Sequence, residues 1–160
     1  MKHEIKKNFL PKIEFNNLKD LLMSNNFPWY YAKSQNKDQK DTSYLFHSFF
    51  HDNKINSDFF YIIKPILNIL NPTTLINVRA NLILNRQNFF CNYHTDTKNI
   101  KNTSAIFYVN TNNGYTEFKK NKEKIKCLEN RILIFNSNLY HKPVSQTDKD
   151  RRIVINLNYF

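Results

Sequence analysis

The chain has 160 residues, 41% of them hydrophobic and 15% aromatic, which is enough apolar material for a core and excludes a disordered polymer. Gly114 is its one glycine, so no glycine-rich phosphate cradle or dinucleotide fingerprint can be written, and NTPase, kinase and Rossmann readings fall away. The formal charge is +11, but the lysines are dispersed, so the charge suits a solvated surface and leaves nucleic-acid binding possible without favouring it.

The densest basic run is KKNKEKIK at 119–126. Cys91 and Cys127 are too few for a disulfide framework and lack zinc-knuckle spacing. No apolar run reaches the length of a signal-peptide core or a membrane span. The expectation is a cytoplasmic chain (host cytoplasm if viral) with reduced thiols and no membrane partner. Its oligomeric state is not legible.

Residues 15–25 place Phe15, Leu18, Leu21 and Leu22 on one face of a short helix. FPWYY follows as a strand entry, and its aromatic cluster of Trp29, Tyr30 and Tyr31 beside Pro28 reads as core. The polar stretch 33–43 is a loop and a candidate lid. YLFHSFF at 44–50 favours strand, with His47 among apolar neighbours as a buried, hydrogen-bonded histidine and His51 at the strand's end. A second helix begins with Ser57 as cap and Asp58 at its positive end, and carries Phe59, Ile62, Ile63, Ile66 and Leu70. Pro65 predicts a kink or break within it, and Asn71-Pro72 stops it.

From residue 75 the period changes. Runs at 75–85, 103–111, 115–120, 131–137 and 151–160 are short and β-type, separated by polar turns. Five such runs without intervening helices imply an antiparallel sandwich or barrel. The reading is one α+β domain over 1–160, mostly β, with a helical N-terminal half at about 1–74 and a β core at about 75–160.

Within that core, NYHTDTKN sets His94 two residues before Asp96. On a strand those side chains would point the same way, which suits two ligands converging on one metal. The pair alone is weak evidence. His141, 47 residues after His94 and directly behind an apolar strand, adds a third donor. Two imidazoles and a carboxylate on one face of an octahedron form the ligand set of non-haem Fe(II) centres that use O2. Further along, DRRIVINLNY offers an arginine for a carboxylate held in a low-dielectric interior. Arg152 shares its strand face with Val154, Asn156 and Asn158, a mixed face suited to a wet cavity. Arg151 lies with Ile153, Ile155, Leu157 and Tyr159, an apolar packing face, so Arg152 is the choice and Arg151 the alternative.

In HTD (94–96), FYVNTNNGYTEF (107–118), RILIFNSNLYH (131–141) and RRIVINLNY (151–159) the chain resembles the Fe(II)/2-oxoglutarate-dependent oxygenases. The closer likeness is to small prolyl-hydroxylase-like members from phages and marine bacteria. The resemblance implies a double-stranded β-helix, or cupin-like jelly-roll. It implies His94, Asp96 and His141 as iron ligands, and Arg152, with Asn156 on its face, at the 2-oxoglutarate. It also implies hydroxylation of a C–H bond with O2 consumed and succinate and CO2 released, on a small-molecule or peptide substrate. Prolyl hydroxylases usually carry a tyrosine on the strand before HxD. Asn85 is its nearest counterpart here, so Tyr108 is a candidate for the role. The competing reading is a non-catalytic jelly-roll, with a structural metal or none, whose basic surface docks nucleic acid or an acidic partner.

Overall fold

The computed structural model describes residues 3–32, 43–85, 91–97 and 101–160. The expected lid loop therefore lies almost wholly outside the described residues.

In chain order the elements are β1 (His3–Lys7), α1 (Lys12–Met23), β2 (Tyr30–Ala32), β3 (Tyr44–His51), β4 (Lys54–Ile55), a 3-10 turn at Asp58–Ile63, and α2 (Lys64–Leu70). The β-rich part continues with β5 (Leu75–Leu84), β6 (Thr103–Tyr108), β7 (Tyr115–Phe118), β8 (Lys124–Lys126), β9 (Arg131–Asn136), β10 (His141–Val144) and β11 (Arg151–Tyr159). The large sheet runs β1-β9-β6-β11-β5-β3-β2, with β4 paired to β3, and the small sheet runs β10-β7-β8. Every strand pairing is antiparallel.

Alternation along the strands divides the apolar residues between two cores. On β11, Ile153, Ile155, Leu157 and Tyr159 face one way and pack with Phe107 and Val78 against Phe15, Leu18 and Leu22 of α1 and Ile63 and Ile66 of the second helical segment. Val154 faces the other way, into the space between the sheets, with Ile106, Leu133 and Phe135 of the large sheet and Phe118, Ile125 and Cys127 of the small-sheet side. The helices thus back the large sheet, and the small sheet covers its opposite face.

The helices follow local chemistry. Phe15, Leu18 and Leu22 are the buried residues of α1, at the spacing of one helical face. The second helix is interrupted as Pro65 predicts: a 3-10 turn occupies Asp58–Ile63, and proline then sits in the first turn of α2, where its missing N–H is not needed. The Ser57 hydroxyl accepts from Phe59 N at 3.0 Å. The same oxygen lies 2.7 Å from His47 Nε2, while His47 Nδ1 lies 2.8 Å from the Pro28 carbonyl, so this histidine is buried and fully paired.

The N-terminal half is not simply helical. It supplies β1, β2, β3 and β4 to the large sheet. β1, HEIKK, is an edge strand with four exposed residues out of five, so it carries no apolar alternation to announce it. The aromatic cluster also divides: Trp29 packs against the first core, but Tyr30 and Tyr31 are exposed because β2 is the opposite edge. No helix among the described residues is long and apolar enough to cross a membrane.

Leu18 is fully buried, whereas Ile13 on the same helix is 77% exposed. Leu18→Ala should lower the unfolding free energy by about 2–5 kcal/mol and Ile13→Ala by less than about 0.5 kcal/mol, measured by urea denaturation.

Candidate active site

His94, Asp96 and His141 converge, with one potential ligand atom from each lying within 4.8 Å of the others. Asp96 Oδ1 is 3.8 Å from His94 Nε2 and 3.6 Å from His141 Nε2. The supporting backbone differs from the sequence expectation. His94 forms an isolated bridge to His141, and Asp96 falls in a bend, so the pair is not on a continuous strand. Reciprocal bonds, His94 N to His141 O at 2.9 Å and His141 N to His94 O at 3.0 Å, bring the distant histidines together directly. Asp96 N donates to Ser137 O at 3.3 Å, and the Thr97 hydroxyl lies 2.6 Å from Asn102 Oδ1 and 2.8 Å from Ser137 Oγ.

Tyr93 fastens the segment from the other side. Its hydroxyl donates to Glu117 Oε1 and accepts from Lys122 Nζ at 3.0 Å, and the Lys142 ammonium lies 4.7 Å from its ring centroid. The Tyr93 bond, foremost, holds the Glu117 carboxyl below its ordinary range.

Each histidine presents the same nitrogen. His94 Nδ1 lies 3.2 Å from Asn92 O and His141 Nδ1 3.0 Å from Leu139 O. A carbonyl can only accept, so Nδ1 carries the proton and Nε2 keeps its lone pair for a cation. Burial is the main cause that pushes the His141 pKa down, which favours the neutral, ligating form. Asn158 Nδ2 donates to Asp96 Oδ2 at 3.3 Å and to Ser104 Oγ at 2.8 Å. That contact leaves Oδ1 turned toward the imidazoles. Two imidazoles and one carboxylate, with His94 on the open side, fit a hard-to-borderline divalent ion with room for further ligands. Asn158 entered the sequence reading only as a neighbour on the Arg152 face; its bond to Asp96 had no signal there beyond the shared period.

Arg152 lies further along the same face of β11, 1% exposed, whereas Arg151 is half-exposed at the strand's start. Its Nε and Nη1 are buried without hydrogen-bond partners. Among the described residues no carboxylate forms an ion pair with it. Tyr108 is fully buried and donates to Thr116 Oγ1 at 2.8 Å. Burial pushes its phenol up to about 12, against the pull of Arg152. Burial likewise pushes the Cys127 thiol up, the Arg152 charge opposing. Gly114 leaves room beside the stem of this side chain: a Cβ there would lie 2.8 Å from Asn112 Oδ1, 2.9 Å from Val144 O and 3.1 Å from Arg152 Cδ. Asn156, between Arg152 and Asn158 on the row, also has a buried Oδ1 without a partner. A buried bidentate donor, in no ion pair among the described residues, suits a carboxylate ligand.

Asn85 does not enter this space. It is exposed beyond the end of β5, with Nδ2 3.4 Å from Thr147 O, and Ile83 takes the inward position opposite Arg152. A cleft of about 800 Å³ opens beside the candidate metal ligands, lined by His94 and Asp96, by Asn156 and Asn158 of β11, and by Arg79, Ser48 and Phe46 of the neighbouring strands. His51 lies at its rim, 3.3 Å from Asp52.

No family model matches the chain, and no curated protein does. Solved structures do. A viral collagen prolyl hydroxylase from Paramecium bursaria Chlorella virus-1, in its 2-oxoglutarate complex, is similar over 99% of this chain and 95% of its own, at 17% identity and TM-score 0.65. A prolyl hydroxylase from Trichoplax adhaerens, in complex with a hypoxia-inducible-factor peptide fragment, is similar over 99% and 83%, at 15% identity and TM-score 0.70. An oxidoreductase of the 2OG-Fe(II) oxygenase family from Burkholderia pseudomallei is similar over 98% and 84%, at 7% identity and TM-score 0.72.

Asn158→Leu keeps most of the volume and removes the amide that holds Asp96. Calorimetric titration with Mn(II) or Zn(II) should show affinity weakened about 10–100-fold; affinity within twofold of wild type would detach Asn158 from the metal site.

The two facing antiparallel sheets, and their match to these structures over nearly the whole chain, give this protein the jelly-roll fold of the Fe(II)/2-oxoglutarate oxygenases.

Proposed function

We propose that the chain is an Fe(II)- and 2-oxoglutarate-dependent dioxygenase that hydroxylates a C–H bond of a protein residue, an amino acid or a small metabolite. The observation that carries this reading is the Arg152 guanidinium, buried without an anion on the same strand face as the residue that orients Asp96. A jelly-roll with only a structural metal has no use for that charge.

His94 Nε2, Asp96 Oδ1 and His141 Nε2 are the atoms that would hold the iron, and Arg152 with Tyr108 would hold the distal carboxylate of 2-oxoglutarate. Asn156 lies between the two ends and offers an unpaired amide oxygen to whatever fills the space. An iron held there would activate O2, and O2 is the oxidant: one O2 would be consumed as 2-oxoglutarate becomes succinate and CO2 and the substrate C–H becomes C–OH. The protein positions the groups, points Nε2 of both histidines at the site, and excludes water. Phe135 and Phe118 serve that last purpose, with ring centroids 4.8 and 6.4 Å from that of His141. Substrates of the prolyl-hydroxylase neighbours support a peptide or small molecule as the class, the Trichoplax enzyme being bound to a peptide.

The test is Arg152→Met, of similar length and without charge. With Mn(II) present, 2-oxoglutarate should raise the melting temperature of wild type, and the variant should lose about 100-fold in 2-oxoglutarate affinity. Without ligand the variant should be as stable as wild type or more so, by up to about 4 kcal/mol, because an unpaired buried charge has been removed. Succinate release from Fe(II)-loaded wild type, absent in Asp96→Ala, completes the assay. A variant that still binds 2-oxoglutarate normally, or a wild type that never binds it, defeats the reading.

A further inference from the structure

Arg152 is not the only arginine left unpaired on the inner face of the large sheet. Arg79 stands on β5 opposite Asn156 of β11 and Ser48 of β3. It lines the open cleft beside His94 and Asp96, where Arg152 does not. Its Nε is buried without a hydrogen-bond partner, and its guanidinium carbon lies 5.8 Å from the centroid of the Tyr44 ring. The other formal charges of the cleft are already engaged: Asp52 lies 3.3 Å from His51, and Asp96 faces the two histidines. Among the described lining residues Arg79 is therefore the one charge without a counter-charge.

Neighbouring positions repeat the pattern. The amide oxygens of Asn156 and of Asn81, which is 8% exposed and follows Arg79 on the same strand face, are buried without donors. A cation without an acceptor next to amides without donors describes a site built for a ligand that has both an oxyanion and polar hydrogens. The position also suits a small reactant. Arg79 lies one strand across and two residues along from Asn158, the residue that holds Asp96, which puts the two backbones about 8 Å apart.

Resting on the oxygenase reading, we infer that the substrate carries a carboxylate, and that Arg79 is the specificity-determining residue that binds it and aims the rest of the molecule at the metal. Arg152 takes the anion of the cosubstrate at the closed end, and Arg79 takes the anion of the substrate at the open end. The carboxylate belongs either to a free amino acid or to an acidic side chain within a peptide.

The experiment uses Zn(II)-loaded protein saturated with 2-oxoglutarate, so that the deep site is filled. Two matched probe pairs are titrated by ligand-observed NMR: L-leucine against L-leucinamide for the free acid, and N-acetyl-L-glutamate against N-acetyl-L-glutamine for the side-chain acid. In one of the pairs the acid should bind at least about tenfold more tightly than its amide. Arg79→Met should erase that preference, and Arg79→Lys should keep part of it, which separates charge loss from misfolding. The pair that discriminates names the source of the carboxylate. Equal binding of acid and amide in both pairs, no binding of either acid, or a preference that survives in Arg79→Met overturns the inference. The 2-oxoglutarate affinity is measured in parallel. If wild type does not bind 2-oxoglutarate, the oxygenase reading fails and the same titrations on the Zn(II) protein alone still decide Arg79. If 2-oxoglutarate binding is lost in Arg79→Met rather than Arg152→Met, Arg79 is the cosubstrate anchor and the inference is overturned.

Discussion

A guanidinium enclosed between two β-sheets, beside a phenol and a thiol and in no ion pair among the described residues, sets the terms for the rest of this molecule. Burying a charge without a partner costs several kcal/mol, and folds do not keep such a group without a compensating use. The surrounding residues accommodate it rather than neutralise it. Gly114 gives up its side chain so that Arg152 and the Val144 carbonyl can come close. Tyr108 keeps its proton and stays a hydrogen-bonding neighbour. The row Arg152, Val154, Asn156, Asn158 then runs along one face of β11 from this charge to the residue that orients Asp96. In the proposed reading, two ends of one strand thus serve an anion site and a cation site.

At the cation end the problem is to bring together residues far apart in the chain. A strand could carry His94 and Asp96, but the protein uses a short irregular segment fixed at several points. The reciprocal backbone bonds to His141 set the distance between the imidazoles. The bonds from Asp96 and Thr97 to the Ser137 region set the position of the carboxylate, and Tyr93 ties the segment to Glu117 on the small sheet. The three candidate ligands therefore depend on both sheets at once, and the packing of Phe118 and Phe135 between the sheets bears on the donor geometry as well as on stability.

Much of this was legible before any coordinates. The runs from residue 75 onward are strands within a few residues of the expected limits, because both faces of the large sheet are buried and their apolar content is high. The inward placement of Arg152, and not of Arg151, followed from the two-residue period alone, which assigns one to the inter-sheet space and the other to the helix-backed face. The parts that escaped have physical reasons. β1 and β8 are polar, short edge strands, and β10 contains a proline, so none displays a hydrophobic alternation. Asn85 looked like an inward residue only while β5 was imagined one residue longer. Arg79 drew no notice because a single arginine in LINVRANLIL looks like an outward residue; only the register beside Asn156 shows that it faces the cleft.

The most direct measurement is an anaerobic titration of Fe(II)-loaded protein with 2-oxoglutarate, followed in the visible range. The account requires an absorption band that grows to saturation at one equivalent, is not produced by succinate, and is lost in Asp96→Ala. A titration that produces no band in the wild-type protein, or a band indifferent to Asp96, would contradict it.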